Sequence, residues 1–199
     1  MALATIQDQI QKSITIKTAL LHDTATLDLI DQCVKVITNA YRNGKKTLIA
    51  GNGGSAADAQ HIAGEFVSKF NFDRPGLSSI ALTTNTSVIT AIGNDYGYDH
   101  IFERQLQAQG CEGDVFIGIS TSGTSKNILK ALEICKSKGI IAIAFTGENG
   151  HRMKELSDIC IEVPSNETPR IQECHILIGH IICCIVEEDL FPEFKPSKD

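Results

Sequence analysis

The sequence predicts an α/β fold, a five-stranded parallel sheet flanked by helices and preceded by a helical N-terminal extension. Short apolar runs occur at 47–50, 80–82, 115–119, 140–145 and 159–163. Each is too short for a helix, and most are bounded by Gly, Ser, Thr or Asn. Segments of helical character separate them, and largely apolar strands alternating with helices imply a parallel sheet covered on both faces. The first 45 residues carry helical periodicity instead.

In that extension Ile6, Ile10, Ile14 and Leu21 fall on one face at helical steps, with Thr18 filling the gap. Ile30, Val34, Ile37 and Tyr41 repeat the pattern, and His22-Asp23-Thr24-Ala25-Thr26 between them supplies capping side chains for a break. Both stripes must bury against something, and the chain's own core and a partner subunit stand equally open. Helical character then returns at 56–70 and 127–138, and more weakly at 87–110 and 151–156. A final helix opens at Thr168-Pro169, a cap followed by a favoured first-turn proline, and runs to about residue 190. Its middle is apolar nearly all round, which predicts burial. With no internal repeat, low-complexity segment or linker, one domain accounts for the chain.

The 199 residues include 42% hydrophobic positions, enough for a substantial core. Lys and Arg number 18 against 24 Asp and Glu, a net charge of −6. That balance, with no basic cluster, argues against nucleic acid as a partner. The longest apolar stretch, 176–186, is broken by His180 and falls short of the ~20 residues a membrane span needs. Seven cysteines without a C-x-x-C pair predict a reduced, cytoplasmic protein. The N-terminus lacks the basic region and apolar core of a secretion signal.

Ligands of a parallel sheet bind beyond the carboxyl ends of its strands, and two predicted loops stand there. Gly51-Asn52-Gly53-Gly54-Ser55 follows the first strand. It fits neither common nucleotide-loop pattern, and a turn needing glycine for conformation alone explains it equally well. Ser120-Thr121-Ser122-Gly123-Thr124-Ser125 follows the third strand, with five hydroxyl side chains in six residues. Capping the next helix would use one of them. The rest, with free backbone N–H groups and the positive end of a helix dipole, suit a phosphate dianion. His61 and Glu65, four residues apart, project from one helix face. Gln172 and His180 stand eight apart on the last helix, ~12 Å along an ideal axis. They either converge on a point between them or serve sites in different subunits. Imidazole, carboxylate and amide oxygen suit zinc or a similar ion, but spacing alone favours a surface pair and a core histidine. Gly93-Asn94-Asp95-Tyr96-Gly97 reads as a polar turn able to present Asp95 to sugar hydroxyls. His22, His100, His151 and His175 share no spacing.

From Gly51 to His61, at Gly93-Asn94-Asp95, at Gly118-Ile119-Ser120-Thr121-Ser122-Gly123, and at Arg170-Ile171-Gln172-Glu173 with His180, the chain closely resembles the bacterial phosphoheptose isomerases, a family of sugar isomerase (SIS) domain proteins. The resemblance implies an SIS-type domain over 46–192, with N-terminal helices at 1–45 for subunit packing and a tail at 193–199. It implies conversion of sedoheptulose 7-phosphate to D-glycero-D-manno-heptose 7-phosphate, the first step toward the heptoses of lipopolysaccharide or other surface glycans. It further implies a cytoplasmic homotetramer with one zinc per site and no membrane or nucleic-acid partner. Carried over by position, the metal ligands are His61, Glu65, Gln172 and His180. Substrate contacts fall to Asn52, Gly53, Gly54, Ser55, Glu65, Asn94, Asp95, Ser120, Thr121, Ser122, Ser125 and Gln172.

The reaction so implied moves a proton between adjacent carbons through an enediol, with Glu65 as base and His180 as acid partner. A carboxylate held by a metal is a poorer base, so Glu65 is expected to release the ion during turnover. A rival reading is a non-catalytic tetrameric scaffold of the replication-initiator-associating type, whose ending resembles Leu190-Phe191-Pro192. That type departs from the metal pattern at the positions of Glu65 and His180, which are intact here. A sugar-phosphate-sensing regulatory domain would need a DNA-binding module, and the first 45 residues make a poor one.

Overall fold

The computed structural model describes residues 2–148 and 150–196. The expected tail at 193–199 falls partly outside these, at 197–199. Helices α1 (Ala2–His22) and α2 (Thr24–Arg42) come first, separated where the Asp23 side chain accepts from the amides of Ala25 and Thr26. The sheet and its helices follow in strict alternation at the start: β1 (Thr47–Gly51), α3 (Gly54–Val67), β2 (Ser79–Ala81) and α4 (Thr86–Tyr96). Then come α5 (Glu103–Gln109), β3 (Val115–Ser120), α6 (Lys126–Lys138), β4 (Ile141–Gly147), α7 (His151–Leu156), β5 (Ile159–Val163) and α8 (Thr168–Leu190). All five strands pair in parallel, in the order β2-β1-β3-β4-β5. The order reverses at β1, so a crevice opens between the carboxyl ends of β1 and β3.

Alternating strand side chains feed two cores. Ile49, Ile117, Ile143, Phe145 and Ile161 pack toward α2, α3 and α8. Leu48, Phe116, Ala142, Ala144 and Cys160 pack toward α5, α6 and α7. Each large apolar side chain so buried contributes about 1.5–3 kcal/mol relative to exposure.

Three expectations are corrected, and one left open, where the N-terminal stripes bury, divides between the two helices. The weak helical stretch at 87–110 divides into α4, a 3-10 turn at Tyr98–His100, and α5, because Gly97 takes φ +90° and ends α4. Gly93, Asn94 and Asp95 are therefore the last turn of a helix rather than a free polar turn. The helix expected to reach 70 stops at Val67, where Ser68 leaves helical geometry. The two N-terminal stripes part company: Ile30, Val34 and Ile37 are buried, whereas Ile6, Ile10, Ile14 and Leu21 stay exposed. Helix α1 is tied to the start of α8 by Arg170 to the Gln9 carbonyl and by Lys12 to the N-cap residue Glu167, while Leu20 and Ile16 reach the core. Last, α8 is not buried all round, since Leu177, Ile181 and Ile185 remain 36–39% exposed. By length and composition alone α8 would suffice to cross a bilayer, but half of its most apolar window is buried in the fold.

Candidate active site

At the crevice, β1 passes into α3 through Asn52 and Gly53, and Gly53 takes φ +55°, open mainly to glycine. Gly54 is needed for space, because a Cβ there would overlap the amide of Gln172 from α8. Asn52 and Asn127 exchange amide hydrogen bonds of 3.0 and 2.9 Å, tying the glycine loop to α6. The Tyr98 hydroxyl donates to the same Asn52 oxygen at 3.0 Å. After β3 the hydroxyls form a linked set: Ser120 Oγ lies 2.9 Å from Ser125 Oγ and 3.4 Å from Ser122 Oγ. Ser122 continues the set to Thr124 at 3.0 Å.

Ser125 stands at the N-cap of α6 but makes no side-chain cap bond, its hydroxyl turning to Ser120 instead. The expected capping hydroxyl is thus added to the ligand-facing set. Asn52, Gly53, Gly54, Ser55, Ser120, Thr121, Ser125 and Gln172 all line one cavity of about 290 Å³. Thr168, at the start of α8, lines it too. The amino ends of α3, α6 and α8 therefore meet at one cavity, and each contributes partial positive charge and free N–H groups. A larger hollow of about 560 Å³ lies at the opposite edge of the sheet, by Lys136 and Asp158. Asp158 there already accepts from the Ala142 amide, and no comparable set of hydroxyls converges.

The second part of the site sits further along α3 and α8. Gly179 lets these helices approach closely, since a Cβ there would lie 2.6 Å from Ile62 Cδ1. The flanking residues His61 and His180 are thereby brought face to face, their Nε2 atoms 2.9 Å apart. Glu65 Oε1 is 3.1 Å from His61 Nε2. One ligand atom from each of the three residues falls within 4.8 Å of the others. Two imidazole nitrogens cannot meet lone pair to lone pair without repulsion, so either one ring donates its N–H to the other or a cation lies between them. The donor set fits a borderline divalent ion.

The cluster opens to solvent, with the His61 side chain 49% exposed. Asp58, one turn before His61, has its carboxyl pushed up to about 6 by burial, with His61 opposing. Among the described residues, Asp58 Oδ2 finds no hydrogen-bond partner. On α8, His175 is fully buried and Nε2 donates to the Thr146 carbonyl at 3.1 Å. Burial lowers its pKa to about 4, against the effect of that hydrogen bond.

The sequence-predicted residues thus fall into two groups and a remainder. Gln172 belongs with the loop cavity, while His61, Glu65 and His180 form the helix cluster. Ser122 contacts the cavity through Ser120. Asn94 and Asp95, hydrogen-bonded to each other at 2.8 Å, are exposed at the end of α4 and do not line the cavity. Asn127, Tyr98, Thr168 and Gly179 were not singled out from sequence. Only Thr168, read as a helix start, had a local signal.

The SIS domain family is matched over residues 14–147. Phosphoheptose isomerase of Aneurinibacillus thermoaerophilus is 66% identical over 186 residues, 94% of each chain. Phosphoheptose isomerase 2 of Campylobacter jejuni is 66% identical over 94% of this chain and 92% of its own. Among solved structures, a phosphoheptose isomerase from Francisella tularensis superposes with a TM-score of 0.90 at 37% identity, covering 94% of this chain and 99% of that one. That of Neisseria gonorrhoeae gives 0.88 at 37% identity, over 94% and 100%. The chain belongs to the phosphoheptose isomerases of the SIS domain family.

Proposed function

We propose that this protein is an aldose–ketose isomerase that converts sedoheptulose 7-phosphate to D-glycero-D-manno-heptose 7-phosphate, supplying heptose for lipopolysaccharide or another surface glycan. The carrying observation is that α3 and α8 each bear both a cavity residue and a cluster residue: Ser55 with His61 and Glu65, Gln172 with His180. Ser55 and His61 are ~9 Å apart along an ideal helix axis, a gap that a phosphorylated seven-carbon sugar bridges.

In this reading the hydroxyls of Ser55, Ser120, Thr121, Ser122 and Ser125, with three helix amino ends, grip the phosphate. Remote binding energy then orients the reacting carbons. Glu65 takes the proton from C1 of the ketose and returns it to C2. His180 gives a proton to the carbonyl oxygen at C2 and recovers one from the hydroxyl at C1, so charge does not accumulate on the enediol. Asn52, Gly53 and Gly54 complete the substrate contacts within the cavity, which Asn94 and Asp95 do not line. His61, Glu65 and His180 are the residues that would hold one Zn2+, with Gln172, which lines the neighbouring cavity, proposed as its fourth ligand. Such an ion supplies Lewis-acid polarisation of the carbonyl oxygen.

A homotetramer fits the apolar stripes left uncovered on α1 (Ile6, Ile10, Ile14) and α8 (Leu177, Ile181, Ile185), and the free cysteines fit a cytoplasmic one. The α8 stripe flanks His180, so a second copy would also shield the open cluster from water. The scaffold reading has no comparable support: the acid–base residues it lacks are present and converge here. The test is turnover of sedoheptulose 7-phosphate by the purified protein, with metal analysis before and after chelation. Turnover lost with the ion and restored by zinc supports the reading. A well-folded, zinc-loaded protein that leaves the substrate untouched overturns it.

A further inference from the structure

The loop that leaves α3 makes a buried ion pair with α8 which the reaction above does not use. Arg74 and Glu187 have side chains 1% and 0% exposed, with Nε and Oε1 3.0 Å apart. Taking two charges out of water is expensive, and an apolar pair of similar volume is often as stable or more so. Stability alone is therefore a poor reason for this pair. What an apolar pair would not provide is direction, and here the directed bonds all converge on the frame of the cluster.

Helix α3 ends at Val67, leaving its last carbonyls without partners inside the helix. Arg74 supplies them: Nη2 donates to the Glu65 carbonyl at 2.9 Å and Nη1 to the Phe66 carbonyl at 2.7 Å. Nη1 also reaches the carbonyls of Ser68 and Pro75 at 3.1 Å each. The guanidinium is thus both a C-cap and a positive charge at the negative end of the helix. Glu65, the intended base, lies inside the turn that Arg74 closes.

Glu187 completes the frame from α8. Its carboxylate accepts from the amides of Phe70 and Asn71 at 2.7 and 2.6 Å, as well as from Arg74. The Phe70 ring packs on His180, with centroids 5.6 Å apart. Glu187 follows His180 by about two helical turns, so one end of the pair is fixed to the helix of the acid and the other to the helix of the base.

We infer that Arg74 and Glu187 are positioning residues: their buried pair locks the last turn of α3 to α8 and so holds Glu65 and His61 in register with His180. This rests on the isomerase reading for its kinetic consequence but not for its geometric one. The planar fork of Arg74 spans several carbonyls at once, which a lysine ammonium does not.

The experiment compares Glu187→Gln, Arg74→Lys and the double apolar replacement Arg74→Met/Glu187→Leu with the parent, each as the full chain. The three readouts are thermal unfolding, kcat and KM for sedoheptulose 7-phosphate, and Co2+ affinity from its visible absorption. For variants that remain folded, the expectation is a kcat lower by about 10- to 100-fold and Co2+ binding weaker by a similar factor. KM should stay within about twofold, because the phosphate cavity is built on the β1 and β3 loops rather than on this frame. Arg74→Lys should not rescue, although it keeps the charge.

Parent-like kcat and Co2+ affinity in the folded double variant overturn the inference. So does full recovery by lysine. Losses that vanish on cooling to where a variant is wholly folded also overturn it, showing a purely structural pair. If the parent itself turns over no sugar phosphate, the isomerase reading fails alone, and Co2+ affinity still decides whether the pair sets the geometry of the cluster.

Discussion

The loop cavity and the histidine–glutamate cluster share α3 and α8 but are made in opposite ways. The cavity is largely backbone and short hydroxyls: Gly53, Gly54, Ser120, Thr121 and Ser125 lie within two loops and at the helix ends they begin. The cluster is three long side chains, with His61 and His180 separated by 119 residues. The first is set by local turn conformation and strand order. The second is set by how closely two helices pack, and hence by groups that touch no ligand, such as Gly179, Arg74 and Glu187. Binding and chemistry should therefore be separable by mutation.

The sharpest separation is expected from Glu65→Gln. Loss of the base should lower kcat by about 10²–10⁴-fold, while phosphosugar affinity, measured by calorimetry, changes little. Wild-type turnover in that variant would remove Glu65 from the role of base.

The next effect concerns acid, and it tests the wall between cavity and core. His175 lies one turn beyond Gln172, and burial keeps its imidazole neutral, with a pKa lowered from the usual 6.5 to about 4. A lowered pKa means the unfolded chain binds the extra proton more readily. Stability from this group is thus untouched at pH 7, falls as pH drops through 6.5, and is fully lost below about 4. The drop is of order 3 kcal/mol. Urea unfolding between pH 7 and 4.5 should show a steeper decline for the parent than for His175→Leu. Parallel curves would mean that His175 is not the group responsible.

A smaller effect belongs to the cavity alone. Ser125→Ala removes a hydroxyl not spent on capping, and a hydrogen bond to a charged group contributes about 1.5–3 kcal/mol. KM for the sugar phosphate should rise roughly 10-fold or more with kcat nearly unchanged. An unchanged KM would return Ser125 to the role of helix cap.

What the sequence disclosed follows the same division. Strand positions were legible to within a residue or two because five buried runs alternate with helices, and the glycine and serine loops were legible because turn chemistry is local. Gln172 and His180 were visible as residues, and their eight-residue spacing already placed them far apart on one helix. That Gln172 joins the cavity and His180 the cluster is a matter of tertiary packing, which no spacing encodes. The polar segment at Asn94 and Asp95 reads as a turn in sequence but ends a helix in the fold, because the Asn85 cap and Gly97 stop that frame α4 outweigh its local turn propensity. Gly179 carries no motif, and its only signal is smallness beside a histidine in an apolar helix.

That glycine gives the finest test of the comparison. Gly179→Ala improves helix propensity by up to about 1 kcal/mol but sets a methyl against the end of Ile62, and overpacking of this kind costs about 1–3 kcal/mol. Net stability should therefore shift by no more than about 2 kcal/mol, since the terminal carbon of Ile62 has some freedom to turn away. The separation of His61 from His180 has less freedom, because both are rooted in the helices being pushed apart. The variant should lose turnover and Co2+ affinity while inorganic phosphate still competes at parental strength. Adding Ile62→Val removes the nearer of the two crowded carbons, Cδ1, leaving Cγ1 at 2.8 Å, and the pair should couple, restoring part of the cluster beyond the sum of the single changes. If Gly179→Ala matches the parent in turnover, close approach of α3 and α8 is not what aligns the histidines, and the cluster must be held by the Arg74–Glu187 frame alone.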